Sequence, residues 1–200
     1  MEKINNIEVQ LKNLKVHYPF LSDDVLYALL MMGIYLMGNK IPFMLVGSIA
    51  WKALGLPLNR DIKDIDLEII CEDDEKLQVF ENICEKQKIK LNLDKAYTPG
   101  FENKLPYAFY AFGVEFNIWI DKKSFYHKRF LTCGGIMIPT VDELIEKKNK
   151  FHRQKDLEDL LCLNKEILKI ICGKNNLNKF MSKIDIKEIE NIILNGGENE

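Results

Sequence analysis

Between Ile41 and Ile70 the chain reads "IPFMLVGSIAWKALGLPLNRDIKDIDLEII", and this stretch narrows the choice of fold more than any other. "IPFMLV" is a short apolar run bounded by Pro42 and Gly47, the pattern of a fully buried strand. Ser48 offers a cap to a brief helix, "IAWKAL". Gly55 suits the left-handed end of that helix, and Pro57 prevents its continuation. "DIDLEII" then alternates with period two, which puts Asp64, Asp66 and Glu68 on one face and Ile65, Leu67 and Ile69 on the other. Strand, tight turn, short helix and second strand in so short a span predict a sheet with helices packed on it.

Two carboxylates at alternate strand positions lie roughly 7 Å apart and repel each other when ionised. Burying them uncompensated is expensive, so either the face is solvated or a divalent cation sits between them. The Gly47–Ser48 turn favours the cation. A strand that ends in Gly47 and opens a helix at Ser48 exposes backbone N–H groups with the positive end of the helix dipole behind them, a setting for a phosphate. Gly47 permits close backbone approach, and the Ser48 hydroxyl can bond a phosphate oxygen or cap its own helix. A phosphate cradle beside paired carboxylates is equipment for phosphoryl or nucleotidyl transfer. Bound metal would bridge a triphosphate and stabilise charge on the leaving pyrophosphate.

The remaining elements follow from shorter signals. Ser22-Asp23-Asp24 caps a helix running toward Met37, and Gly38-Asn39 stops it. Asp73 to Lys88 reads as a helix, "IKLNLD" as a further strand and "YTPGFENKLP" as a loop. "YAFYAFGVEFNIWI" predicts two strands turning near Gly113. "DKKSFYHKRF" is a basic, aromatic connector, which suits either a stacked RNA or nucleotide acceptor or a solvated loop. "GIMIP" supplies a final strand, and "TVDE" is a capping box with Thr140 as N-cap and Glu143 at the third helical position. From there the chain reads as helical, broken at "GKNNLN", with a last helix from Asp185 to about Leu194. The expected organisation is an α/β core over 1–139 and a C-terminal helical subdomain over 140–200.

Composition excludes several alternatives. With 200 residues, 47% of them hydrophobic, the chain has room for one ordinary domain plus a small extension. A formal net charge of −2 gives no global bias toward nucleic acid. The five cysteines are odd in number and form no Cys-x-x-Cys pair, as in a reduced, cytoplasmic protein. The longest apolar run, "VLYALLMMGIYLMG", falls short of the roughly 18–20 residues of a membrane span. The N-terminus lacks an apolar signal core, so no export signal is expected. His17, His127 and His152 have no metal-ligand spacing. Trp51 and Trp119 read as core.

Gly47, Ser48, Asp64 and Asp66 resemble the hallmark of the nucleotidyltransferase superfamily, whose best known relative is DNA polymerase beta: a strand, Gly-Gly or Gly-Ser, a short helix, then an Asp-apolar-Asp strand. More narrowly, "NRDIKDIDLEI" is similar to the Arg-x-Thr-x-Asp-apolar-Asp pattern of abortive-infection toxin-type and related minimal nucleotidyltransferases. Arg60 matches, and Ile62 stands in place of the Thr. "IPTVDELIEKKNKFHRQKDLEDLLCL" resembles the family's capped helix, Lys/Arg-rich segment and Lys-Asp-x-x-Asp, so the likeness covers roughly Ile41 to Leu163.

The resemblance implies a nucleotidyltransferase-type mixed sheet flanked by helices. It implies Mg²⁺ (or Mn²⁺) held by Asp64, Asp66 and a third acid from a neighbouring strand. Counted from Gly113, the third position falls on Asn117, a neutral amide that cannot serve as base. Glu115, on the same strand face, supplies the acid if the register is shifted. A nucleoside triphosphate would contact Gly47 and Ser48, with Arg60 or a lysine neutralising phosphate charge. Leu144, Lys148, Phe151 and Lys155 are spaced four, three and four and share one helical stripe. On it, Lys148 or Lys155 either touches the triphosphate or snorkels into water. Arg153 lies on the opposite side of an ideal helix, and Asp156 and Asp159 are expected to pair locally with Lys155.

The function so implied is transfer of a nucleoside monophosphate to a hydroxyl of a protein, tRNA or other RNA, or small molecule. The setting would be toxin–antitoxin or phage defence, with an antitoxin partner or a homo-oligomer and no membrane. An antibiotic-modifying transferase shares this chemistry and differs only in acceptor. The competing expectation, favoured by Asn117, is a catalytically reduced member that binds a nucleotide, an RNA or a protein.

Overall fold

The structure, a computed structural model, describes residues 2–86, 88–89, 105–121, 130–151 and 153–172. Its centre is built as the alternation predicts. The run "FML" becomes β1 (Phe43–Leu45), every residue buried, and "DIDLEII" becomes β2 (Asp64–Ile70). They pair antiparallel with Leu45 opposite Leu67 and Met44 opposite Glu68. Between them lies the short helix α3 (Gly47–Ala53).

The aromatic, β-branched segment after residue 104 forms a hairpin, β3 (Leu105–Ala111) and β4 (Val114–Asp121). The turn at Phe112–Gly113 is where the sequence puts it. β4 runs parallel to β2, with Asp64 opposite Glu115 and Asp66 opposite Asn117. On the far side of β1 a second hairpin, β5 (Phe130–Cys133) and β6 (Ile136–Pro139), adds β6 parallel to β1. The six described strands make one mixed sheet in the order β3-β4-β2-β1-β6-β5. β6 is the strand expected from "GIMIP". β5 was not expected, because "FLTC" is polar-flanked and mostly exposed. Its turn is made by Gly134 and Gly135, both at positive φ (56° and 80°), a conformation open to glycine.

One sheet face is apolar and is covered by α2 (Asp23–Gly38) and α4 (Asp74–Lys86): Gly33 lies against Phe43, and Phe80 packs edge-on to Tyr107 at 5.8 Å. Ser22 caps α2 by accepting the Val25 N–H. A preceding helix, α1 (Glu2–His17), packs on α2 and had no strong signal in the sequence. The other face, carrying Asp64, Asp66 and Glu68, is crossed by α5 (Val141–Phe151), and α6 (Gln154–Cys172) follows. Thr140 does not make its half of the capping box: its Oγ1 is buried with no hydrogen-bond partner among the described residues. Five of the expected features lie outside the described residues: strand "IKLNLD" almost wholly, most of the loop after it, connector 122–129, the break at "GKNNLN" and the last helix. The architecture is the expected mixed α/β sheet flanked by helices. No described helix is long and apolar enough to cross a membrane.

Candidate functional site

The turn after β1 and the carboxylates of β2 converge. The Val46 N–H donates to the Asp66 carbonyl at 2.9 Å, which brings the turn alongside β2. Gly47 then adopts φ +65°, and a Cβ placed on it would overlap Asp66 Oδ2 and lie 2.8 Å from Asp66 Cγ. No side chain larger than hydrogen fits there. α3 begins at Gly47 itself, one residue earlier than the sequence suggested. Its N-cap, Val46, makes no side-chain cap. Ser48 is therefore no cap. Its buried hydroxyl accepts a hydrogen bond from Arg60 Nη2.

Asn117 stands between the two aspartates. Its Nδ2 donates to Asp64 Oδ2 at 3.0 Å and to Asp66 Oδ1 at 3.3 Å. Burial, then the charge of Asp64, pushes the Asp66 carboxyl up to about 6, against the opposing pull of Lys155, the Asn117 hydrogen bond and Arg153. The two cations and the amide do not offset burial and the repulsion between the carboxylates. Glu115 faces the same way, but its carboxylate accepts from the exposed Tyr110 hydroxyl at 3.3 Å. Among the described residues no group of three His, Cys, Asp or Glu is gathered as a cation site. Of the β4 side chains on this face, Asn117 touches both aspartates. Glu115, expected to join Asp64 and Asp66, stands opposite Asp64 in the ladder with its carboxylate turned to Tyr110.

For a divalent cation the donors present do fit. Mg²⁺ is held by one or two carboxylates, its other positions going to waters and substrate phosphates. Asp64 and Asp66 supply the carboxylates. A half-turn about χ2 of Asn117 would present its oxygen instead of its NH₂.

The cleft beside this pair runs along β2 from Gly47 and Asp66 to Glu68, walled by Trp119 and Phe151 and roofed by α5 and the start of α6. It encloses about 60 Å³, room for a few waters. Its cations divide into two groups. Lys148 is buried. It reaches Asp159 at 2.7 Å and Asp156 at 3.2 Å and lies 4.9 Å from the Trp51 ring centroid. Arg60 bridges Asp159 (3.1 Å) and Ser48. Lys147 holds the buried Glu68 at 2.9 Å. These cations are engaged within the protein. Lys155 lines the same cleft, as does Arg153, whose guanidinium is more open to solvent although it holds Asp156 at 2.6 Å. Burial pushes Asp156 up, but the hydrogen bonds and charge of Arg153 and then Lys148 outweigh it and hold its carboxyl below the usual range.

Several expectations change here. Leu144, Lys148 and Phe151 do share a face of α5, but the helix ends at Phe151 and α6 starts at Gln154, so Lys155 is on another helix. That break also turns Arg153 into the cleft, whereas one continuous helix would point it away. Asp156 and Asp159 pair with Lys148, Arg153 and Arg60 instead of Lys155. Trp51 is core, with Nε1 donating to the Pro57 carbonyl at 2.7 Å, whereas Trp119 lines the cleft. Sequence reasoning missed Lys147, although Glu68 on the same face as Asp64 and Asp66 called for a cation.

Two solved structures are similar to this chain. A candidate nucleotidyltransferase from Thermotoga maritima is 20% identical over 67% of this chain and 89% of its own, with a TM-score of 0.41. The antibiotic-resistance factor ANT(2'')-Ia is 14% identical over 80% of this chain and 94% of its own, with a TM-score of 0.46. No family model matches the chain, and no curated protein matches it.

Proposed function

We propose that the chain is a metal-dependent nucleotidyltransferase that moves a nucleoside monophosphate from a nucleoside triphosphate to a hydroxyl acceptor on a protein, an RNA or a small molecule. The observation that carries this reading is the contact between Gly47 and the Asp66 carboxylate. It sets an uncapped helix start beside a carboxylate pair whose burial and mutual repulsion the nearby cations do not offset.

In this reading Asp64 and Asp66, with the Asn117 amide turned over, hold Mg²⁺ or Mn²⁺. The ion, when bound, would neutralise the phosphates and favour departure of pyrophosphate. The amides of Gly47 and Ser48 receive a phosphate. Lys155 and Arg153 face the remaining phosphate charge at the cleft mouth, and Arg60 holds the Ser48 hydroxyl in place. Lys148 is a structural rivet between α5 and α6. The acceptor would approach from the open side, past Asp64.

Magnesium-dependent transfer of label from α-labelled nucleotides to acceptor pools, lost in Asp64→Asn, tests the proposal. Absence of transfer with all four nucleotides and broad acceptor pools would favour a second reading, in which the cleft binds a nucleotide without turning it over. Asn117 is the observation behind that second reading, since no carboxylate stands there to take a proton from the acceptor.

A further inference from the structure

We propose that this site takes one divalent cation rather than two, and that Asn117 sets the number. The inference rests on the reading of Asp64 and Asp66 as metal ligands. Two divalent ions roughly 3.5–4 Å apart, the spacing of two-metal phosphoryl-transfer sites, bring four positive charges and need carboxylates both to bridge and to flank them. Here Asp64 and Asp66 flank the Asn117 amide, and a further carboxylate on this face, Glu115 opposite Asp64, is turned to Tyr110. β4 lies in register with β2 so that Asn117 is opposite Asp66. From there its amide reaches Asp64 at 3.0 Å and Asp66 at 3.3 Å. A third carboxylate would have to occupy that place, and an uncharged amide occupies it.

The other acids near the cleft are committed elsewhere. Glu68, next on the same strand face, is held by Lys147, and Asp156 and Asp159 are held by Lys148, Arg153 and Arg60. Glu115 is turned to Tyr110. Lys155 and Arg153 line the cleft beside Asp66 and already bring it fixed positive charge. A second cation would enter against their repulsion with no carboxylate of its own. The neutral amide and these two side chains take over the electrostatic work that a second ion would do.

Titration of the full chain with Mn²⁺, in the presence of one equivalent of a non-hydrolysable adenosine triphosphate and followed by electron paramagnetic resonance, tests this. Wild type is expected to bind one Mn²⁺ per chain, with an uncoupled spectrum. Asn117→Asp is expected to bind two, with the spin–spin broadening of adjacent ions. Repeated without nucleotide, the titration is expected to give one ion in wild type and none in Asp66→Asn. Two coupled ions in wild type would overturn the inference and leave the metal-site reading standing. Wild type indistinguishable from Asp66→Asn would overturn the metal-site reading itself. If Asn117→Asp does not fold, Asn117→Ser, which removes the amide without adding charge, is expected to remain at one ion. Two ions in that variant would contradict the role given to Asn117.

Discussion

Gly47 and Asp66 occupy each other's space so closely that only a hydrogen on the Gly47 Cα avoids the Asp66 carboxylate, and Gly47 sits at φ +65°. One residue thus meets two demands, a left-handed turn and proximity to an acid. Gly47→Ala should therefore do more than strain the backbone. A loss of about 1–3 kcal/mol in stability is expected from the turn, with the Asp66 carboxylate displaced as well. Urea unfolding reads the first effect. A fall of more than tenfold in Mg²⁺–nucleotide affinity, by calorimetry on the folded variant, reads the second.

The two lysines that the sequence put on one stripe separate cleanly. Lys148→Met leaves Asp156 and Asp159 buried with one fewer cation, and breaking such a buried pair costs about 3–5 kcal/mol. Lys155 is half-buried in the cleft lining, and Lys155→Met should change stability far less, by about 0.5 kcal/mol, while weakening triphosphate binding. The outcome to look for is a lowered urea midpoint for the first variant and a nearly unchanged midpoint with raised nucleotide Kd for the second.

Asp66 also gives a pH signature. Its carboxyl ionises near 6 in the folded chain against an ordinary value of 3.8, so the folded form holds the proton more tightly than the unfolded form. The resulting stabilisation is full below 3.8, declines between 3.8 and 6, and is absent above. Above 6 the ionised carboxylate is a liability in metal-free protein. Asp66→Asn should then be more stable than wild type at pH 7.5 by on the order of 1–3 kcal/mol, and the gap should close at pH 3.5. Mg²⁺ with nucleotide should reverse the order at pH 7.5. Equal urea midpoints at both pH values would contradict the assignment.

Much of this site was legible in the sequence, because its parts are local. Period-two alternation in "DIDLEII" fixes which carboxylates share a face, and Gly47 before a short helix fixes the turn beside them. The α5–α6 break was not legible. On one continuous helix Lys148 and Asp159 would lie about three turns apart; they meet because α5 ends at Phe151 and α6 starts at Gln154, and nothing in "KFHRQKD" announces that break. Trp119 shows a second limit. An aromatic residue in an apolar strand reads as core, yet the face it occupies is the one that carries Asp64, Asp66 and Glu68 and opens to the cleft. The third acid turned on strand register between β2 and β4, a long-range property that one strand's pattern does not encode.

Glu115 offers a contrast to Asp64. Its carboxylate is engaged with Tyr110, and no described three-acid group includes it. Glu115→Gln should shift Mn²⁺ affinity by less than about fivefold, since exposed hydrogen bonds contribute on the order of 1 kcal/mol or less. Asp64→Asn should remove binding. Equal losses in the two variants, read by Mn²⁺ titration, would return Glu115 to the metal site.

The most direct measurement is a crystal structure of the chain soaked with Mg²⁺ and a non-hydrolysable nucleoside triphosphate. The account predicts one cation bound by Asp64 and Asp66, with the triphosphate running over the Gly47–Ser48 turn toward Lys155 and Arg153. A nucleotide bound on another surface, or a cleft left with only water between those carboxylates, would contradict it.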